Sequence, residues 1–164
     1  MINYAAIIEA RMGSSRLPGK VALKINNIPT IILLIDRLKQ VKSIDKVIVA
    51  TTVSDNNNPL CKLLTKNKID FFRGSENNVL ERVLKTAKQF KVKNIVQITG
   101  DCPLIDPQIV SQMILIHQNN KFDFVSNSKI RTYPDGMDVD IFSTNNLKKC
   151  SKLTKNKHDL EHVT

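Results

Sequence analysis

Short apolar runs of strand length alternate along this chain with segments whose apolar residues recur at helical spacing. That alternation restricts the fold more than any other feature. Residues 4–10, 46–52, 69–73 and 94–99 read as buried strands. The segment 29–41 places Ile31, Leu34, Ile35 and Leu38 at helical spacing, with Pro29 positioned to start the helix. Residues 58–68 read as a short helix. The segment 75–90 reads as another, capped by Ser75, with Val79, Val83 and Ala87 on one face. Asp106 and Pro107 mark a further start, the carboxylate as N-cap and the proline as first helical residue, leading into 108–118. Residues 122–126 read as a strand, residues 137–143 alternate as a half-buried strand, and Thr144 caps a last helix.

Strands and helices in this order predict an α/β fold, a doubly wound, mostly parallel sheet with helices on both faces and right-handed crossovers. No repeat, low-complexity tract or linker interrupts the chain, and 164 residues suit one domain. Ligands of such sheets bind beyond the carboxyl ends of the strands. Two candidate motifs, at Arg11 and at Asp101, lie directly after predicted strands.

The first is the loop from Ala10 to Lys20, "ARMGSSRLPGK". It is not a Walker loop: five residues separate Gly13 from Gly19, and Val21 follows Lys20. Gly13 and Gly19 permit close backbone approach, Ser14 and Ser15 add hydroxyls, and Arg11, Arg16 and Lys20 add three positive charges. Backbone N–H groups and guanidinium forks suit phosphate oxygens. The second motif is "ITGDCPLIDP". Asp101, at a strand exit, is placed to hold Mg²⁺ against substrate phosphates, whereas Asp106 is a helix cap and Cys102 a packed thiol. The third is "RTYPDGMDVDIF". Asp138 and Asp140 lie two apart on the predicted strand and so share a face. They fit a metal or polar substrate, or equally an acidic solvent-facing edge. Arg131 and Tyr133 stand beside them, and Asp135-Gly136 forms a turn. Arg73-Gly74 ends the third strand, within reach of a base or ribose in one reading and at the surface in the other. His117, inside an apolar helix, is structural.

Composition narrows the classes. With 41% apolar residues and no long apolar run, nothing approaches the roughly 18 residues needed to cross a bilayer. Three scattered cysteines and no secretory leader pattern point to a reduced, cytoplasmic protein. A net charge of +10 raises nucleic acid as a partner. The scattered lysines and the 5% aromatic content disfavour it, since little is available for base stacking.

Together "IIEARMGSSRLPGK", "ITGDCPLIDP", "YPDGMDVDIF" and "EHVT" resemble, in this order, cytidylyltransferases of the spore-coat polysaccharide biosynthesis type, relatives of the acylneuraminate and Kdo cytidylyltransferases. The resemblance implies a glycosyltransferase-A-like nucleotide-binding fold and a single nucleotidyltransferase domain over 1–164. It implies CTP as donor, CMP transfer to a hydroxyl of a sugar acid or related polysaccharide precursor, release of pyrophosphate, Mg²⁺ as cofactor and pairing as a homodimer. Carried over, the loop from Ala10 and Arg11 through Met12, Gly13, Ser14, Ser15 and Arg16 to Lys20 wraps the triphosphate. Arg73 and Gly74 lie near the nucleoside, and Arg11, Arg16, Lys20 and Asp101 carry the catalysis. Arg131, Tyr133, Asp135, Gly136, Asp138 and His162 line the acceptor side. Family members continue to a segment of Val-Asp-Thr-Pro-Glu-Asp-Leu type that resembles a second metal-carboxylate site. This chain has no match to it, so the expectation is a domain lacking that segment, with Asp138 and Asp140 joining Asp101 as candidate ligands. The competing classes are a nucleotide-binding domain without catalysis and a basic nucleic-acid-binding protein.

Overall fold

The computed structural model describes residues 1–14 and 17–163. In chain order the elements begin with β1 (Ile2–Glu9) and a 3₁₀ turn at Lys20–Ala22. A hairpin of β2 (Lys24–Ile25) and β3 (Ile28–Pro29) leads into α1 (Thr30–Leu38). Next come β4 (Lys46–Thr52), α2 (Asn58–Lys66), β5 (Asp70–Gly74) and α3 (Val79–Gln89). β6 (Val92–Thr99), α4 (Pro107–Asn120), β7 (Phe124–Ser126), β8 (Asp140–Ser143), α5 (Thr144–Leu153) and α6 (Lys157–His162) complete the chain.

Six strands form one sheet in the order β5-β4-β1-β6-β8-β7. The first four run parallel; β8 is antiparallel to β6, and β7 to β8. From β1 the chain steps outward to β4 and β5, then returns to place β6 on the other side of β1. The strand order therefore reverses between β1 and β6, the position where α/β sheets bind ligands.

The buried apolar strand residues face one of two cores. Ala6, Ile8, Val49, Val96 and Ile98 pack with Ile31, Leu34, Ile35 and Leu38 of α1, Leu60 and Leu64 of α2, and Val110 and Ile114 of α4. Ala5, Ile7, Ile48, Ala50, Ile95 and Phe142 pack with Val79, Val83 and Ala87 of α3 and Leu147 of α5. Strands buried on both faces carry no apolar–polar alternation, as the near-continuous runs in the sequence indicated. His117 is structural: its Nδ1 shares a 2.7 Å hydrogen bond with the Tyr4 hydroxyl, and burial lowers its pKa.

Asp106 caps α4 as expected, accepting from the Gln108 N–H at 2.8 Å, with Pro107 as first helical residue. Three local expectations need correction. Asn78, not Ser75, caps α3: its Oδ1 accepts from Glu81 N at 2.8 Å, while the Ser75 hydroxyl accepts from the Asn78 N–H one turn earlier. Ser143, not Thr144, caps α5, and the Thr144 hydroxyl instead donates to the Val92 carbonyl at 2.7 Å. The last strand begins at Asp140 rather than Met137. Asn127 explains this: its side-chain amide takes the Met137 carbonyl and the Val139 N–H, both at 2.8 Å, leaving those groups unavailable to a ladder. Asp138 and Asp140 therefore do not share a strand face.

Ile7 is fully buried in the sheet beneath α3. Ile7→Ala is expected to lower the unfolding free energy by about 2–5 kcal/mol, the usual cost of a core truncation, read from urea denaturation.

Candidate functional site

The ends of β1 and β6 lie against each other, in register through Glu9 and Thr99. The Gly100 N–H donates to the Glu9 carbonyl at 2.8 Å. A Cβ on Gly100 would stand 2.7 Å from that carbonyl oxygen and 2.9 Å from the Ala10 Cβ, so only glycine fits this approach. The loops that follow the two strands thus leave the sheet side by side and enclose a cleft of about 380 Å³. Ala10, Arg11, Gly13, Ser14 and Lys20 line it from one loop, Gly100 and Asp101 from the other. Glu9 and Thr99 contribute from the strand ends, Val79 and Arg82 from α3, and Glu161 and His162 from α6.

The first loop is held from behind by buried polar groups. Asn57, 1% exposed, accepts from the Met12 N–H at 2.8 Å and donates to the Thr52 hydroxyl at 2.6 Å. Thr52 donates to Glu76 Oε2 at 2.8 Å, and the other Glu76 oxygen pairs with Arg11 at 3.9 Å. Gly19, in the left-handed region at φ 73°, donates to the Met12 carbonyl at 2.8 Å and closes the loop on itself. Both backbone groups of Met12 are therefore spent inward.

Lys20 and Asp101 form an ion pair across the cleft between Nζ and Oδ2. Burial would raise the Asp101 pKa, but the Lys20 hydrogen bond and charge outweigh it and hold the carboxyl below its usual value. Glu9 moves the other way. Burial pushes it up to about 8, against the Arg82 charge that lowers it and with the Asp140 charge that raises it. Cys102 is buried, its sulfur 3.0 Å from the Thr99 hydroxyl and its pKa raised by burial, as a packed thiol should be.

Of the residues singled out in the sequence, the cleft gathers Ala10, Arg11, Gly13, Ser14, Lys20, Asp101 and His162. Ser15 and Arg16 lie outside the described residues. Met12 serves the loop's interior. Arg73 and Gly74 do not line the cleft. Arg73 donates to the carbonyls of Thr52, Val53 and Ser54 and to Asn58 Oδ1, so its guanidinium fastens the turn after β4. Arg131, Tyr133, Asp135, Gly136 and Asp138 sit together on the 127–139 loop, where Arg131 pairs with both Asp135 and Asp138. They are not part of the cleft lining, nor is Asp140.

Among the described residues no three His, Cys, Asp or Glu side chains cluster to hold a metal ion. Asp101 offers one carboxylate at the cleft wall. That donor set fits Mg²⁺ when substrate phosphates and water complete the shell, not as an all-protein cage. Glu9, Arg82 and Asn57 escaped the sequence reading. Glu9 closes an apolar strand, Arg82 reads as one charge among several on a helix, and Asn57 falls in a run of three asparagines. Arg82's place three residues after Val79 and next to Val83, both buried, is the signal that could have found it.

The geometry defines an α/β protein with a cleft lined by Arg11, Lys20 and Asp101 at the reversal point of its sheet. The chain belongs to the cytidylyltransferase family, an enzyme family whose sequence profile matches residues 5–164. It is 37% identical over 163 residues to an uncharacterized protein of Methanocaldococcus jannaschii, covering 99% of this chain and 66% of that one. It is 32% identical over 171 residues to the spore coat polysaccharide biosynthesis protein SpsF of Bacillus subtilis, covering 100% and 69%. The structure of a cytidylyltransferase from Leptospira borgpetersenii superposes with a TM-score of 0.93 at 34% identity, covering 99% of this chain and 69% of that one. The chain thus spans about two thirds of the length of these relatives. The fold is the glycosyltransferase-A-like fold of nucleotidyltransferases.

Two measurements check the site. Asn57→Ala leaves the Met12 N–H without its acceptor and should cost about 1–3 kcal/mol of stability by urea denaturation. The raised Glu9 pKa gives stability a pH dependence of known sign. The folded state holds a proton that the unfolded chain releases near 4.5, so this contribution is complete below 4.5 and is lost as pH rises to about 8. Wild-type unfolding free energy should fall between pH 5 and pH 8.5 relative to Glu9→Gln, which cannot titrate.

Proposed function

We propose that the cleft binds CTP and that the whole protein transfers CMP to a hydroxyl of a sugar acid or related cell-surface polysaccharide precursor. The observation that carries this reading is the meeting of Lys20 and Asp101 at one cleft, beside a loop that Gly19 closes onto Met12. Membership of the cytidylyltransferase family supports the donor, and the resemblance to sugar-acid cytidylyltransferases supports the acceptor class.

In this reaction the acceptor hydroxyl oxygen attacks the α-phosphorus. The bond from that phosphorus to the bridging oxygen breaks, pyrophosphate leaves in line, and the hydroxyl proton passes to solvent. The chain's task is positioning and charge compensation. Lys20 and Arg11 offset the phosphate charge from the loop side. The loop N–H groups not already spent on acceptors within the protein bind phosphate oxygens, and His162 and Glu161 face the acceptor from α6. Asp101 would hold Mg²⁺, which supplies charge stabilisation to the phosphate oxygens when bound.

A thermal-shift panel of CTP, UTP, GTP and ATP, each with and without Mg²⁺, tests the donor. CTP with Mg²⁺ should stabilise most, by about 2.7 kcal/mol at a hundredfold excess over Kd. Lys20→Ala should reduce kcat/KM in a pyrophosphate-release assay by about 2–4 kcal/mol of transition-state stabilisation. Normal turnover by Lys20→Ala would remove the loop from the mechanism.

A further inference from the structure

The last described helix, α6, reads Lys-His-Asp-Leu-Glu-His over Lys157–His162. His158 and His162 stand four apart, about one helical turn, so their side chains neighbour each other on one face. Their ring centroids are 4.5 Å apart and the ring planes are tilted by 40°. Two imidazoles brought together by this spacing are the arrangement with which one helix face binds zinc. The start of the helix is fastened. The Asn156 side chain accepts from the His158 N–H at 3.0 Å, and the Thr154 hydroxyl donates to Asp159 Oδ2 at 2.6 Å. The other Asp159 oxygen stands 4.0 Å from His158 Nδ1. A carboxylate on that side of an imidazole favours a proton on Nδ1, which leaves Nε2 as the ligating atom. Local charge also suits a cation. In a chain of net charge +10, this helix sets the single Lys157 against two carboxylates, Asp159 and Glu161. The His158 side chain is 76% exposed, so an ion reaches it from solvent, whereas His162 lines the cleft beside Glu161.

We propose that His158 and His162 form a two-histidine chelate for a divalent transition ion, Zn²⁺ above all, at the α6 wall of the cleft. The inference rests on the helix geometry and is independent of the CTP reading. The site differs from Asp101 in kind. A carboxylate is a hard oxygen donor suited to Mg²⁺, whereas imidazole nitrogen suits Zn²⁺, Cu²⁺ and Ni²⁺. Ligand chemistry thus sorts two classes of ion to two walls of one cleft. Among the described residues no third His, Cys, Asp or Glu completes the set, so water fills the remaining positions of the ion. A zinc ion that keeps water in its shell has places for an incoming ligand. Because His162 lines the cleft, an anionic oxygen bound there can take one of them.

The test titrates the protein with Zn²⁺ alone, in a buffer that does not bind zinc and with no nucleotide present. The chain has three histidines, and NMR follows the ring protons of each. Signals of His158 and His162 should move together and saturate at one Zn²⁺ per chain. Those of His117, whose ring is hydrogen-bonded to Tyr4, should stay in place. Calorimetry gives the affinity. His158→Ala and His162→Ala should each weaken it by about tenfold or more, since loss of even an outer partner of a metal ligand costs that much. Cys150→Ser, which removes the exposed thiol, should leave it unchanged. Mg²⁺ in about hundredfold excess should not displace the zinc, because imidazole is a poor ligand for it. Zinc that moves neither ring of the pair, or only one, overturns the inference, and this arm needs no variant. Zinc affinity that survives His158→Ala but is lost in Cys150→Ser also overturns it, because the thiol is then the ligand.

Discussion

The close contact of β1 and β6 at Gly100 is the constraint on which the site depends. Parallel strands hydrogen-bonded in register end at the same height, so the loops after Glu9 and Thr99 leave the sheet as neighbours. A side chain at 100 would push them apart, because the obstacle is backbone and Ala10 rather than a flexible side chain. Every polar group of the cleft inherits its position from this contact. The reversal of strand order at the same place lies between β1 and β6, where α1 and α4 pack on one face of the sheet and α3, which returns the chain to β6, packs on the other.

The two loops are held in different ways. The Met12–Asn57–Thr52–Glu76 chain is largely buried and neutral until its last member, so it is rigid and insensitive to salt. The Lys20–Asp101 pair is partly exposed, with side chains 28% and 43% accessible. Pairs of that exposure contribute about 0–1 kcal/mol. The scaffold is therefore firm, while the two charged groups that meet the proposed ligand are held at little cost. On the proposed reading, a triphosphate would offer Lys20 several oxygens in place of one carboxylate and free Asp101 for a cation.

Legibility in the sequence followed how local each cause is. The strands and helices were readable because burial on one or two faces leaves a period in the chain, and Asp106-Pro107 was readable because a cap acts within three residues. The Gly-Ser-Lys loop and Asp101 stood out because polar, flexible residues follow apolar strands. The causes that failed are non-local. Asn127 withdraws Met137 and Val139 from the sheet from ten and twelve residues away, which separates Asp138 from Asp140. Arg73 is consumed by carbonyls about twenty residues earlier. Nothing in a run of three asparagines says that the second will be buried against Thr52. The α3 cap was a local signal misassigned: Asn78 and Glu81 carry the spacing of a capping pair, and Ser75 sits outside it.

The two carboxyls of the cleft show how one small site holds opposite protonation states. Glu9 is desolvated at the end of β1 with no ion-pair partner among the described residues, so removing its proton costs solvation that Arg82 does not fully return. Asp101 is partly exposed and meets an ammonium directly, and that contact decides its charge. Burial thus favours the protonated form of Glu9, and the Lys20 contact favours the ionised form of Asp101. On the proposed reading, a triphosphate beside Arg11 and Lys20 would meet little carboxylate charge at the β1 strand end, while the carboxylate proposed to hold a divalent cation stays ionised. Environments that push like groups apart in this way separate roles without changing residue type. Here the separation comes from the sheet itself, which buries one carboxyl as the last residue of a strand and exposes the other just past the end of its neighbour.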